Sequence, residues 1–433
     1  MSGEGKDRAR AGRAMPLPTR AVPPVARVRQ HLASDRVPDP RGAVRERLLD
    51  AGLRDAVRPG ARVAITAGSR GIGAFVELVA GIVDAVRACE GEPFVIPAMG
   101  SHGGATAEGQ VEVLRRLGVT EESVGAPVRA TMDTVALGAA RNGAVAHVDR
   151  LAAEADGIIV LGRTKTHPES IGRLASGLLK MTVVGLGKQR GAFEAHSHGL
   201  WESVREVPKV TLARAPILFG VAVVENAFKH PAVIEVVPPT YDAFLEADHR
   251  LLDVAKSHLA TIPFARLDVL VVDEIGKSVS GAGMDPNLVG RWRAVDGVPR
   301  IPDYRRIVVL SLTPPSLGNG LGIGMADFTT RRFVDDFDPA VTHVNLITAS
   351  EPGGNTREAH VPVVLETDRE AIEVALVSSL AGEAPRLCRI RNTEALDELW
   401  VSEALLDEVR QHPKLTIIDP LSPMRFDGRG NLF

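Results

Sequence analysis

A chain of 433 residues exceeds what one ordinary hydrophobic core serves, so two domains, or three, are predicted. Hydrophobic residues at 45% and charged residues at 24% are the balance of a globular protein in water, and a net charge of −3 argues against nucleic acid as a partner. Two cysteines, Cys89 and Cys388, exclude a disulfide framework and a CxxC metal site and fit a reducing compartment.

The first 30 residues are rich in Arg, Pro and Ala with no apolar run, which argues against a signal peptide; residues 1–25 read as a disordered tail, with a transit peptide as the alternative. No membrane span is visible, and a cytoplasmic location is expected. Arg62–Thr66 (RVAIT) is the first clear strand signal after Pro59-Gly60. Phe75, Leu78, Val79, Ile82 and Val86 then repeat at helical spacing. Pro93–Ala98 (PFVIPA) reads as the next strand. A helix follows from Thr106 through Val111, Leu114 and Leu117 and ends at Gly118. Asp156–Gly162 (DGIIVLG) lacks polar alternation, as a strand covered on both faces should.

Ile217–Val224, Asp268–Glu274, Arg306–Leu312 and Val344–Thr348 (VNLIT) complete the predicted strands. Tyr241–Leu259 is helical and charged and reads as the connection between domains, with Asp268–Glu274 opening the second. The expected architecture is α/β: two domains with mainly parallel sheets and an active site in the cleft between them. Ligands of such sheets bind beyond the carboxyl ends of the strands. Residues 26–260 would form the first domain and residues 261–433 a carboxyl-terminal α/β domain.

Thr66–Gly73 (TAGSRGIG) follows a strand, opens a helix and nearly spells the glycine fingerprint of short-chain dehydrogenases. Ala67 replaces the first glycine, however, and the Tyr-x-x-x-Lys pair of those enzymes is missing. Tyr241 and Tyr304 are followed four residues later by Leu245 and Val308. What is left is a strand-end loop whose Ser69 and Arg70 suit an anion, Arg70 offering a fork for a carboxylate. The alternative is a tight turn with a solvated arginine.

His102 stands among glycines in GSHGGAT, either exposed to a substrate or merely structural. The stretch Gly162–Leu200 is the densest in chemistry. It holds His167 past a buried strand, Lys180 in an apolar helix-like run, and the pair His196 and His198. Lys180 is either a snorkelling surface residue or a desolvated amine able to bond a cofactor. His196 and His198, two apart, would share a strand face and could take a metal, without the usual partners of structural zinc. His147 alternates with apolar residues and reads as a sheet residue. Lys277 follows a buried strand and is a candidate substrate or phosphate contact.

Taken in order, Arg70, His102, His167, Lys180 and His196 resemble the nickel-dependent lactate racemase family, the nickel-pincer nucleotide racemases and epimerases of 2-hydroxy acids. The resemblance extends to Ser280–Asn287 and Gly318–Thr330. It implies that Arg70 holds the substrate carboxylate and that His102 and His167 are the two bases. It also implies that Lys180, in Ser176–Lys180, anchors the cofactor as a thioamide, and that His196, sixteen residues on, ligates nickel. Residues 26–260 would then be the cofactor- and nickel-binding domain. The implied cofactor is nickel pyridinium-3-thioamide-5-thiocarboxylic acid mononucleotide, and the implied partners are a small 2-hydroxy acid and the cofactor-synthesis enzymes. The implied reaction is racemisation or epimerisation by proton-coupled hydride transfer. Ala67 stands where the family has an aspartate, and Gly290 and Arg293 stand where it has a glutamine and a lysine. These departures fall on the substrate side. The competing readings are a nicotinamide-dependent oxidoreductase and a non-catalytic module for metal or metabolite.

Overall fold

The computed structural model describes residues 17–69, 71–166, 175–291, 302–349 and 356–433. The chain divides into two compact units. One comprises Leu32–Thr261, and the other joins the residues up to His31 to those from Ile262 onward. Val25–Gln30, the first strand (β1), belongs to the latter.

In the Leu32–Thr261 unit, β2 (Arg62–Ala67) and β3 (Glu92–Pro97) are followed by a hairpin of β4 (Thr134–Ala139) and β5 (Val145–Asp149). Then come β6 (Gly157–Arg163), β7 (Ile217–Glu225) and β8 (Pro231–Val237). The main sheet runs β3-β2-β6-β7-β8, parallel except at β8. Val63, Ile65, Ile159 and Leu161 enter the core on one face, while Ala64, Ile158 and Val160 enter the core on the other. Two apolar layers therefore account for unbroken apolar strands: each successive side chain has a core to fill. Phe75–Arg87 supplies Leu78, Val79, Ile82 and Val86 to the first layer. Tyr241–His258 supplies Phe244, Ala247 and Leu251 to the second. This helix, read from sequence as a connection between domains, is thus part of one unit's core.

The order of the strands creates a topological switch point. From β2 the chain moves outward to β3, and it re-enters at β6 on the opposite side, next to β2. Pairing of β2 with β3 runs from Arg62/Glu92 to Ala67/Pro97, whereas pairing of β2 with β6 stops at Ile65/Ile159. Beyond that point the buried Thr66 hydroxyl accepts the Leu161 N–H at 2.9 Å in place of a backbone carbonyl. Such a switch point, at the carboxyl ends of diverging parallel strands, is where open α/β sheets bind ligands.

In the other unit, β9 (Arg266–Ile275), β10 (Asp303–Leu312), β11 (Phe328–Thr330), β12 (Val363–Leu365), β13 (Leu387–Ile390), β14 (Glu398–Ser402) and β15 (Leu415–Ser422) join β1. The order is β12-β11-β10-β9-β13-β14-β1-β15, parallel from β12 to β13 and antiparallel beyond. Residues 25–30, placed by sequence at the tail and the start of the first domain, pair here with β14 and β15. Arg27 reaches Glu398 and Asp419 across them. Val22 packs on this core, and Arg20 donates to the Ala381 carbonyl at 3.1 Å, so the end of the expected disordered tail is held.

Val344–Thr348, predicted as a strand, lies inside the helix Pro339–Ala349. Pro339 fits a first helical turn, and the Asp338 carboxylate accepts the N–H groups of Ala340 (2.8 Å) and Val341 (3.2 Å). The cap decides over the strand preference of Val and Ile. Among the described residues no helix is long and apolar enough to cross a membrane.

Candidate functional site

At the carboxyl end of the five-stranded sheet, Glu225 closes β7 with its carboxylate shared between the loop after β2 and the end of β6. One oxygen accepts the Gly73 N–H at 2.6 Å and the other the Arg163 guanidinium at 2.5 Å. The loop after β2 is thereby tied to the ends of β6 and β7. Gly73 has no room for a side chain, because the Lys229 carbonyl oxygen would lie 1.6 Å from its Cβ. Arg70, within this loop, lies outside the described residues, as do His167 and Arg293.

His102 is exposed in the loop after β3, and its Nδ1 lies 2.5 Å from the Ser69 hydroxyl of the loop after β2. The two strand-end loops therefore meet at the switch point. Beneath His102 sits a sealed polar cluster. Gln110 donates through Nε2 to the carbonyls of Gly100 (2.8 Å) and His102 (3.2 Å) and accepts Lys188 Nζ at 2.6 Å. Lys188 Nζ also donates to the Pro97 carbonyl at 2.8 Å and lies 3.3 Å from Asp149 Oδ2. Gln110, Lys188 and Asp149 are each fully buried. Burial pushes the Asp149 carboxyl above the usual carboxylate range and Lys188 below the usual lysine range, against their mutual attraction.

Lys180 ends the short helix Leu178–Lys180. Asp248, from the helix Tyr241–His258, accepts the N–H groups of Leu178 (2.8 Å) and Leu179 (2.9 Å). The close approach of that carboxylate requires Gly177, where a Cβ would lie 2.2 Å from Asp248 Oδ1. A π-helical turn, Met181–Gly185, follows at once, a distortion that is often found at functional sites. Lys180 is half-buried with Nζ 5.4 Å from the Trp201 ring centre, a cation–π contact. Of the two readings of Lys180, neither an open surface residue nor a sealed amine describes it; the fully buried lysine is Lys188, eight residues later.

His196 is half-buried on the helix Lys188–Ser197, and His198 is exposed just past its end, its Nδ1 3.0 Å from the Glu194 carbonyl. The shared strand face expected for the pair is not formed: His196 lies on the helix and His198 caps its end. Buried Gly191, Ala192 and Ala195 define the inward face of this helix. A Cβ at Gly100 would lie 3.1 Å from Val184 Cγ1 and 3.6 Å from Ala192 Cβ. The His102 loop thus rests on the segment that joins Lys180 to His196.

Lys277 lies in the other unit. Its Nζ donates to the Gly281 carbonyl of its own loop at 2.6 Å, and its N–H to the Ser316 hydroxyl of the loop after β10 at 2.8 Å. Asp285 caps the helix Pro286–Val289, and Gly290 ends it in the left-handed region at φ 65°. The departure at Gly290 therefore sits on a position built as a helix stop.

Among the described residues no three His, Cys, Asp or Glu side chains gather as a protein-built metal site would need. Lys180 and His196 by themselves do not make a structural zinc site, and a metal held by either would need its other donors from a bound group.

Asp248 also sets a pH dependence. Its buried carboxyl is pushed from 3.8 to about 6, chiefly by desolvation. The folded chain holds this proton more tightly than the unfolded one. Its contribution to stability is therefore full below about pH 4 and is lost as pH rises through about 6. Asp248→Asn removes the titration, so the stability of wild type relative to this variant is expected to fall by about 2.5 kcal/mol between pH 4 and pH 7. Urea unfolding at several pH values checks this, and a flat difference would show an Asp248 that ionises as in the unfolded chain.

Neither a family model nor a curated protein matches this chain. Among solved structures, the lactate racemase apoprotein from Thermoanaerobacterium thermosaccharolyticum is similar, at 10% identity and a TM-score of 0.44. The likeness covers 86% of this chain and 89% of that one. The α/β class rests on the strand order described above.

Proposed function

We propose that the chain is an isomerase, a racemase or epimerase of a 2-hydroxy acid that works with a nickel-pincer nucleotide. One observation supports the reading: the loops after β2 and β3 meet at the switch point, with His102 Nδ1 against Ser69, the neighbour of Arg70 in sequence. The α-hydrogen of a 2-hydroxy carboxylate is poorly acidic, because the carboxylate disfavours a carbanion beside it. When bound, the cofactor supplies an acceptor for that hydrogen with its electron pair.

The chain's own residues do the rest. Arg70 holds the carboxylate through two parallel bonds, so that the carbon turns about a fixed end. His102, with Nδ1 occupied by Ser69, uses Nε2 to take or return the hydroxyl proton on one side, and His167 does so on the other. Lys180 holds the cofactor through its side-chain nitrogen, and His196 gives the nickel one ring nitrogen.

The test uses the full chain produced beside the cofactor-synthesis enzymes. Intact mass and metal analysis are expected to give a covalent nucleotide adduct with nickel. Chiral chromatography is expected to show at least one 2-hydroxy acid inverted without net oxidation. Stoichiometric accumulation of a 2-keto acid with added NAD would instead make the chain a nicotinamide oxidoreductase. Adduct and nickel without inversion would make it a carrier.

A further inference from the structure

Lys188 is the most deeply buried lysine among the described residues. It is fully sealed from solvent, yet its backbone sits at φ 55°, in the left-handed region that disfavours a side chain. A non-glycine residue held there costs about 1–2 kcal/mol, and burying its ammonium costs more. Apolar residues would pack this place at lower cost, so what the lysine adds is the reach of its donors.

Those donors form one continuous strut. Lys188 Nζ holds the Pro97 carbonyl, the last of β3, and the Gln110 side-chain oxygen. The same Gln110 amide then grips the carbonyls of Gly100 and His102, on either side of the turn that presents the imidazole. Asp149 balances the charge from below and is itself pinned by the N–H groups of Leu151 and Ala152. We propose that Lys188, acting through Gln110, is a positioning residue that sets the orientation of His102. A charged donor polarises the carboxamide and strengthens its two outgoing bonds, which an apolar residue cannot do. The inference rests on the functional reading above for its purpose, but its geometry is independent of it.

The test reads His102 directly. In the full chain labelled with ¹⁵N-histidine, the His102 ring signals are assigned by their loss in His102→Gln. Gln110→Met cuts the strut above the ion pair. Lys188→Met combined with Asp149→Asn removes both charges and keeps an acceptor for Leu151 and Ala152. Both variants are expected to stay folded by circular dichroism, with the His102 tautomer balance changed and its titration midpoint moved by about half a pH unit. In loaded protein kcat is expected to fall roughly ten- to a hundredfold with KM nearly unchanged. Should the double variant fail to fold, Gln110→Met decides alone. Unchanged His102 spectra in a folded Gln110→Met overturn the proposal. A loaded wild type that inverts no 2-hydroxy acid removes the functional reading, and the His102 spectra still decide on the strut.

Discussion

His102→Ala is expected to abolish inversion of a 2-hydroxy acid, with a loss of about two to four decades in kcat/KM. The same loss is expected of His167→Ala, while the cofactor adduct and nickel content stay at wild-type levels. Inversion needs a proton acceptor on each side of the carbon, so neither histidine can replace the other. His102 is exposed and bound to Ser69 at Nδ1, and its loop is braced from below through Gln110. Truncating the imidazole at that position costs the fold little, and the effect should be confined to turnover. Near wild-type rates in either variant would end the two-base assignment. A rate lost together with nickel would move the residue from the proton path to the metal.

The second large effect separates anchor from ligand. Lys180→Ala is expected to lose the covalent adduct altogether, since no other nitrogen replaces its Nζ in the thioamide. His196→Ala is expected to keep the adduct's mass and to lose most of the nickel. Imidazole suits nickel, and a three-donor group leaves one position open for it. His198, exposed at the end of the same helix and held by the Glu194 carbonyl, is the rival, and one variant at most should strip the metal. Nickel retained in His196→Ala and lost in His198→Ala would transfer the role. An adduct that persists in Lys180→Ala would show attachment elsewhere. Lys188 is a poor alternative, because its amine is sealed under the loop after β3 and engaged by Pro97 and Gln110.

The buried strands were legible because their pattern is local. Ile158 to Leu161 alternate between two apolar layers, and a run of apolar residues bounded by polar ends is the direct imprint of that environment. The helix Phe75–Arg87 was legible for the same reason at another period. Val344–Thr348 was misread because a strand-like run of Val and Ile is overruled by a cap at Asp338 and a proline at the first turn. The place of β1 was not legible at all. Arg27 pairs with Trp400, hundreds of residues away, and nothing in the strand names its partner.

The candidate site divides along the same line. Residue type and order are properties of the chain, and they sufficed to single out His102, Lys180 and His196 and the chemistry such groups can do. Which lysine is desolvated is a property of packing. Lys180 and Lys188 both follow apolar neighbours, yet the first lies half-open over Trp201 and the second is sealed against Asp149. Glu225, Asp248 and Gln110 carry no local signal, because each acts on backbone groups brought close by the sheet rather than by sequence. Hydrophobic periodicity is written between neighbours and survives in one dimension. A hydrogen bond from Gln110 to His102, or from Leu178 to Asp248, exists only once the parallel strands have aligned their carboxyl ends and set those loops side by side.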